Sequence, residues 1–231
     1  MKQLRRCLLI GNSRWHWAEH DSHGWTYRHT SPDPAAVGSG AADIEAWAAV
    51  GVLPANSGLD PRRRLQSVDV PLKHVPPWLG IDRVFAAWAA LQKQQASGSV
   101  PQGLLVADAG TVLSLTRVMA DGGFAGGQLV AGLRLQLRAM AEGALQLSDP
   151  GPSLKLLDGF PRSTAAAMQQ GALQALVGVV EQAQRLAAQP LWLCGGDGPS
   201  LIEPLRQRGV PFTHEPELVL EGMVNVLDLL S

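Results

Sequence analysis

An α/β fold made of two related halves is encoded here: strand-length apolar runs alternate with stretches of helical periodicity, and each half opens on the same strand, tight turn and returning strand. The 231 residues, 46% hydrophobic, suffice for a sizeable core in roughly one to two domains. Lys and Arg number 19 against 20 Asp and Glu, a net charge of -1, so no broad field draws nucleic acid or anionic lipid. Small-molecule chemistry is favoured over polyanion or membrane binding.

The first half begins with an apolar run from Leu4 to Ile10 that stops at Gly11. Arg14-Trp15-His16-Trp17 resumes it with alternating side chains, which predicts a strand, a tight turn and a second strand. Trp25 to His29 is a third strand, and Ser31-Pro32-Asp33-Pro34 turns the chain. The small-residue segment from Ala41 to Ala49 reads as helix, and Val50 to Leu53 as a buried strand stopped by Pro54. Residues 56–79, charged and interrupted by prolines, read as loop with a short strand near Val68 to Val70. A helix starts near Gly80, where Ile81, Val84, Phe85 and Trp88 share one buried stripe. Ser97-Gly98-Ser99 and Pro101 end it and set the expected boundary between halves 1–99 and 100–231.

The second half repeats the opening. Leu104 to Ala107 is a strand, Asp108-Ala109-Gly110-Thr111 the turn and Val112 to Val118 the returning strand. Aligning Gly110 with Gly11 superposes the two units and sets Leu9 opposite Asp108. Gly122 to Val130 is a further strand, Leu133 to Leu147 a helix, and Ser163 to Ala187 a long helix with Ser163 as N-cap. Leu191 to Cys194 is a strand feeding Gly195-Gly196-Asp197-Gly198, followed by a helix, a strand from Pro211 to His214 and a helix from Glu217.

The apolar run at Cys7 to Ile10 is far shorter than a signal peptide core, and nothing later approaches the ~20 apolar residues of a membrane helix, so a cytoplasmic protein is expected. Cys7 and Cys194 sit in strand-like runs and are expected to be buried, reduced and without a catalytic role. His16, His20, His23 and His29 fit no standard zinc spacing, and strand alternation is expected to scatter them.

Three segments carry residue types suited to phosphate chemistry. A turn such as Gly11-Asn12-Ser13 or Gly110-Thr111 after a buried strand exposes backbone N–H groups and a hydroxyl in a concavity that attracts phosphate, although hairpins also use such residues for backbone reasons. Asp108 ends its strand, where it can hold a cation that offsets phosphate charge or cap the turn. Asp82, in Gly80-Ile81-Asp82-Arg83, stands in the first turn of a helix. There the macrodipole favours the ionised form, either as a base beside an alcohol or as a helix-start device alone. Gly195 to Gly198, between strand and helix, is supporting only.

Taken together these segments resemble the type III pantothenate kinases, a branch of the actin-like ATPase and sugar kinase superfamily. The resemblance runs through most of the chain: GNS at Gly11 to Ser13, GIDR at Gly80 to Arg83, DAGT at Asp108 to Thr111, GGQLVAGL at Gly126 to Leu133, STAAAMQQG at Ser163 to Gly171 and ELVLEGM at Glu217 to Met223 stand in the family's order. It implies two duplicated ribonuclease H-like domains with a cleft between them, the second carrying a dimerisation helix. It implies phosphorylation of pantothenate by ATP, with Asp82 as proton acceptor. Gly80, Ile81, Asp82, Arg83 and Thr164 would bind the substrate, and Gly11, Asn12, Ser13, Gly110 and Thr111 the ATP. Asp108 would ligate potassium or ammonium, and Mg2+ would accompany ATP.

The family's dimer contact would fall on the helix from Ser163, where Gly171, Ala175 and Gly178 make a smooth face. The chain departs from the pattern at Leu9, where the family has Asp, so Mg2+ is expected to be held through water and ATP alone, or more weakly. It departs also before GIDR, where His74-Val75-Pro76-Pro77-Trp78-Leu79 lacks the family's pocket tyrosine and Trp78 is a candidate wall in its place, and at Ala131, where proline is usual. Two alternatives stand beside this reading: a related kinase acting on another small alcohol, and a catalytically silent nucleotide-binding dimer.

Overall fold

A computed structural model describes residues 5–98, 102–151 and 159–230. The chain forms two compact units, one of Met1–Val100, Asp121–Phe124 and Glu217–Ser231, the other of Pro101–Ala120 and Ala125–Pro216. The long segment of the first unit ends at Val100, and the C-terminal helix returns to the first unit.

In the first unit β1 (Arg5–Ile10), β2 (Trp15–Asp21) and β3 (Gly24–Thr30) form an antiparallel meander, and β4 (Ile44–Ala49) pairs parallel to β1, giving the order β3-β2-β1-β4. β1 is buried on both faces. Leu8 and Ile10 pack with Trp15, Trp17, Ile44 and Trp47, while Cys7 and Leu9 pack with Val84, Phe85, Met223 and Val224. The second layer comes from α2 (Ile81–Ala96) and α6 (Leu218–Leu230). These helices approach so closely that a Cβ on Gly222 would collide with the carbonyl of Phe85. Each large apolar side chain buried between them contributes about 1.5–3 kcal/mol.

Three expectations for this unit are corrected. The segment 41–49 is not an α-helix: after α1 (Pro34–Gly40), Ala41–Asp43 is a short 3-10 turn and Ile44–Ala49 is β4. Alanine-rich composition favours helix, but pairing parallel to β1 with Trp47 and Ala48 buried overrides it. Val50 to Leu53 is loop, with Val52 91% exposed. Val68 to Val70 is no strand, because Gln66 and Asp69 close a capping box around the 3-10 turn Ser67–Asp69.

The second unit repeats the plan. β5 (Leu104–Ala109), β6 (Val112–Val118) and β7 (Phe124–Ala131) make the meander, β8 (Leu191–Cys194) pairs parallel to β5, and β9 (Thr213–His214) extends the sheet as β7-β6-β5-β8-β9. One face is covered by α3 (Leu133–Gly143), α4 (Thr164–Ala187) and α5 (Gly198–Gln207). α3 ends at Gly143, short of the expected Leu147. α4 starts as its sequence predicts, with the Ser163 hydroxyl accepting from the N–H of Ala166 at 3.3 Å. Its Leu173, Leu176, Val177 and Val180 are buried against the sheet, while Gly171 and Ala175 are exposed.

Candidate functional site

The first hairpin bend is held by its own backbone and by the loop after β4. The Gly11 N–H donates to the Arg14 carbonyl at 3.1 Å, and the N–H groups of Val50 and Gly51 both donate to the Ile10 carbonyl, at 2.9 and 3.0 Å. A Cβ on Gly51 would collide with the Gly11 carbonyl. Asn12, Ser13 and Arg14 are exposed.

The second bend is built the same way. The Gly110 N–H donates to the Val112 carbonyl at 3.3 Å, and the Asp197 N–H donates to the Ala109 carbonyl at 2.8 Å, the counterpart of the bond from Gly51 to Ile10. On its other side the Gly132 N–H donates to the Thr111 carbonyl at 3.0 Å, so closely that any Cβ on Gly132 would collide with the bend. α3 therefore begins against Gly110 and Thr111 and α5 against Ala109, and helix N-termini are where anions bind. Asp108 lies half-buried at the end of β5, with its carboxylate against Gly195, whose φ of +87° suits glycine.

The GIDR segment opens α2. Gly80 is the N-cap, Ile81 and Arg83 are buried, and Asp82 is half-buried between them. Asp82 Oδ1 accepts the Arg83 N–H at 2.8 Å, and a Cβ on Gly80 would lie 2.5 Å from that oxygen, so glycine lets the carboxylate fold back over the helix start. Burial pushes the Asp82 carboxyl above its ordinary value, against the lowering effect of that hydrogen bond and of the Arg83 charge. The helix dipole was expected to favour ionisation. At about 0.3–1 kcal/mol it is the weaker effect, and loss of water decides. Gly80 also adjoins Val50, since a Cβ there would lie 3.7 Å from Val50 Cγ1. The helix start, the loop after β4 and the first bend are thus contiguous within the first unit. Thr164 is exposed at the first position of α4, in the second unit. Trp78 is 71% exposed, with its ring edge-on to Phe124 at 6.1 Å between centroids.

One group escaped the sequence reading. The histidines were expected to scatter, but His16 and His29 are register partners on β2 and β3, and their Nδ1 atoms lie 2.7 Å apart. His29 Nε2 is 3.1 Å from Glu217 Oε1. Burial lowers His16 to about 4, with help from the charges of His29 and Arg14. The signal was present: both residues are equidistant from the Asp21-Ser22-His23-Gly24 turn that fixes the hairpin register.

The donors at the second bend are oxygens, namely the Asp108 carboxylate, the hydroxyl of Ser114 opposite it in the sheet, and the carbonyls of the bend. They suit a hard cation. Among the described residues no group of three or more His, Cys, Asp or Glu could form a metal cage. A cation bound here would complete its shell with nucleotide phosphate and water, which this donor set fits. Both cysteines are buried and outside any disulfide, and burial pushes Cys7 up to about 12, the opposite of an activated thiol. No helix among the described residues is long and apolar enough to cross a membrane.

Comparison with known proteins adds an independent line. A sequence model of the type III pantothenate kinase family matches residues 64–185. A type III pantothenate kinase from Synechococcus sp. (strain JA-3-3Ab) is 33% identical over 96% of this chain and 91% of its own length. Among solved structures, a protein described as a Baf family transcriptional activator from Campylobacter jejuni superposes with a TM-score of 0.63 at 18% identity, covering 97% of this chain and 98% of that one. The activator of 2-hydroxyisocaproyl-CoA dehydratase from Clostridium difficile, with bound ADPNP, reaches 0.54 at 11% identity, covering 98% and 95%. At such identities the two structures establish the fold, two ribonuclease H-like units of the actin-like ATPase type.

Proposed function

The chain belongs to the type III pantothenate kinase family, and from that premise we propose how its residues divide the work of moving phosphate from ATP to pantothenate, the opening step of coenzyme A synthesis. Phosphoryl transfer asks for an alcohol in line with the γ-phosphate, a group to take its proton, and neutralisation of charge on the transferring oxygens. Asp82 takes the proton. Burial raises its proton affinity toward the value a general base needs, and the GIDR backbone folds the carboxylate over the start of α2.

Gly80, Ile81 and Arg83 shape the pantothenate site around Asp82, and Thr164 contributes a hydroxyl. Asn12 and Ser13 in one unit, and Thr111 in the other, offer N–H and hydroxyl donors to the phosphates of ATP, while Gly11 and Gly110 shape the bends that let the phosphates approach. Asp108 holds a monovalent cation, potassium or ammonium. That ion and the Mg2+ of the nucleotide would supply positive charge to the phosphates when bound. The exposed Gly171 and Ala175 on α4 support a homodimer through that helix, and the buried free thiols suit a reducing cytoplasm.

The observation that carries this reading is the half-buried Asp82 at the N-terminus of a helix contiguous with the first bend. Steady-state turnover of pantothenate with ATP, Mg2+ and potassium tests it. Activity that disappears in Asp82→Asn while the fold persists supports the assignment. Turnover of a different alcohol in place of pantothenate would move the substrate, and unchanged activity in Asp82→Asn would remove Asp82 from its role. Sedimentation of the wild type against a Gly171→Glu variant tests the dimer.

A further inference from the structure

The two units, aligned on their bends, differ at one position that matters for charge. The row across the second sheet reads Ser114, Asp108, Cys194, and the equivalent row in the first reads His29, His16, Leu9, Ala48. Where the second unit places a carboxylate, the first places Leu9, 2% exposed and packed into hydrocarbon. The polar group of that row stands one strand over, on His16, which faces Leu9 directly. Its ring reaches the bend: a Cβ built on Gly11 would lie 3.1 Å from His16 Nε2.

The hydrogen-bond chain behind His16 fixes its tautomer. A carboxylate only accepts, so His29 Nε2 carries the proton donated to Glu217 Oε1 at 3.1 Å. When both rings are neutral, His29 has a bare Nδ1, which must accept, and the contact of 2.7 Å to His16 Nδ1 makes His16 the donor. Neutral His16 is left with its lone pair on Nε2, at the Gly11 bend. The groups facing it are His29, Arg14 and, through His29, Glu217. Burial, with the Arg14 charge beside it, keeps His16 neutral at physiological pH.

We propose that His16, oriented by His29 and Glu217, gives the first bend the acceptor that Asp108 gives the second, taking a hydrogen bond from a water of the hydrated Mg2+ that accompanies ATP. The inference rests on the kinase reading above and deepens it, placing the metal-facing function of the first unit on β2 instead of β1. The histidine costs no buried charge, which a carboxylate at position 9 would, and it keeps an acceptor at the bend.

The test has two readouts. Nitrogen-15 NMR of histidine-labelled wild-type protein is expected to show His16 as the Nδ1–H tautomer with an unprotonated Nε2. Calorimetry is expected to show that His16→Leu weakens Mg2+·AMPPNP about tenfold and leaves metal-free ADP unchanged, and that Leu9→Asp added to His16→Leu restores part of the loss. His29→Phe, which leaves the ring of His16 in place but unoriented, is expected to lose a smaller share and to mix the two tautomers. An Nε2–H tautomer in the wild type, or wild-type Mg2+·AMPPNP affinity in both His16→Leu and His29→Phe, overturns the proposal and leaves the kinase reading standing. A wild-type protein that binds no nucleotide overturns both.

Discussion

The first and second units share a hairpin, a parallel fourth strand and a loop hydrogen bond that locks the bend, yet they equip the bend differently. In the second unit the bend is supported by two helix starts, at Gly132 and Gly198, and carries Asp108. In the first it is supported by the loop at Val50 and Gly51, carries Leu9, and borders the helix start that holds Asp82. The two halves thus share the backbone that locks the bend. On the function proposed above, the acids differ in task, Asp108 toward a cation and Asp82 toward a proton. The comparison teaches that the shared part is a backbone device, insensitive to side chains except where glycine permits close approach, and that the acids stand at different places in the two halves.

The comparison breaks most visibly at Asp82. Asp82→Asn is expected to lower kcat by about a thousandfold, within the 10²–10⁴ range of a lost general base, with little change in the KM for ATP. It also carries a stability signature. A carboxyl raised by burial above its ordinary 3.8 leaves the folded state holding more protons than the unfolded one. Stability is therefore full below 3.8 and declines as pH rises through the folded value. Asp82→Asn removes that decline, so its melting temperature should equal or exceed the wild type's at neutral pH, with no gain in acid. A neutral-pH melting temperature below the wild type's would mean that Asp82 serves the helix start instead of the reaction.

The parts legible in the sequence were those set by local pattern. The two hairpins, α2, α4 with its Ser163 cap, and the loop after β8 follow from apolar runs, periodicity and capping residues. β4 was illegible because Ile44-Glu45-Ala46-Trp47-Ala48-Ala49 has helical composition and becomes a strand only through pairing with β1, a contact distant in sequence. The assignment of α6 to the first unit depends on packing against Phe85, which no local pattern encodes. Within the candidate site, the bends and GIDR could be read from residue type and position. The rise in the proton affinity of Asp82 could not, since it reflects burial. The link from His16 through His29 to Glu217 spans two strands and a helix, and only the first half of it was written in the hairpin register.

Substitutions at the second bend sharpen the contrast. Asp108→Asn is expected to cut kcat/KM for ATP by about a hundredfold, the usual scale for one lost electrostatic contact, and to blunt activation by potassium. Equal loss in buffers with and without potassium would separate Asp108 from the cation. Gly132→Ala drives a methyl group into the bend and should cost about 1–3 kcal/mol, or a few degrees in melting temperature, with a raised KM for ATP. Calorimetric unfolding checks the first effect and initial rates the second. An unchanged melting temperature would show that α3 can shift away from Thr111.

The smallest expected effect distinguishes the two units by pH alone. His16 falls from an ordinary 6.5 to about 4 in the folded chain, because burial and the charges of His29 and Arg14 oppose protonation. Between those values the unfolded chain holds the extra proton, so the contribution of His16 to stability is fully present above 6.5 and is lost as pH drops toward 4. One proton corresponds to a slope of at most about 1.4 kcal/mol per pH unit, reduced where water reaches the ring. His16→Leu should flatten the stability profile of the protein across that window relative to wild type, whereas Ser114→Ala, at the equivalent place in the second unit, should leave the slope unchanged. Chemical denaturation at half-unit pH steps measures the difference. Parallel profiles for wild type and His16→Leu would show that the imidazole takes up its proton in the folded chain as readily as in the unfolded one, and that the bend of the first unit is not held by a neutral histidine.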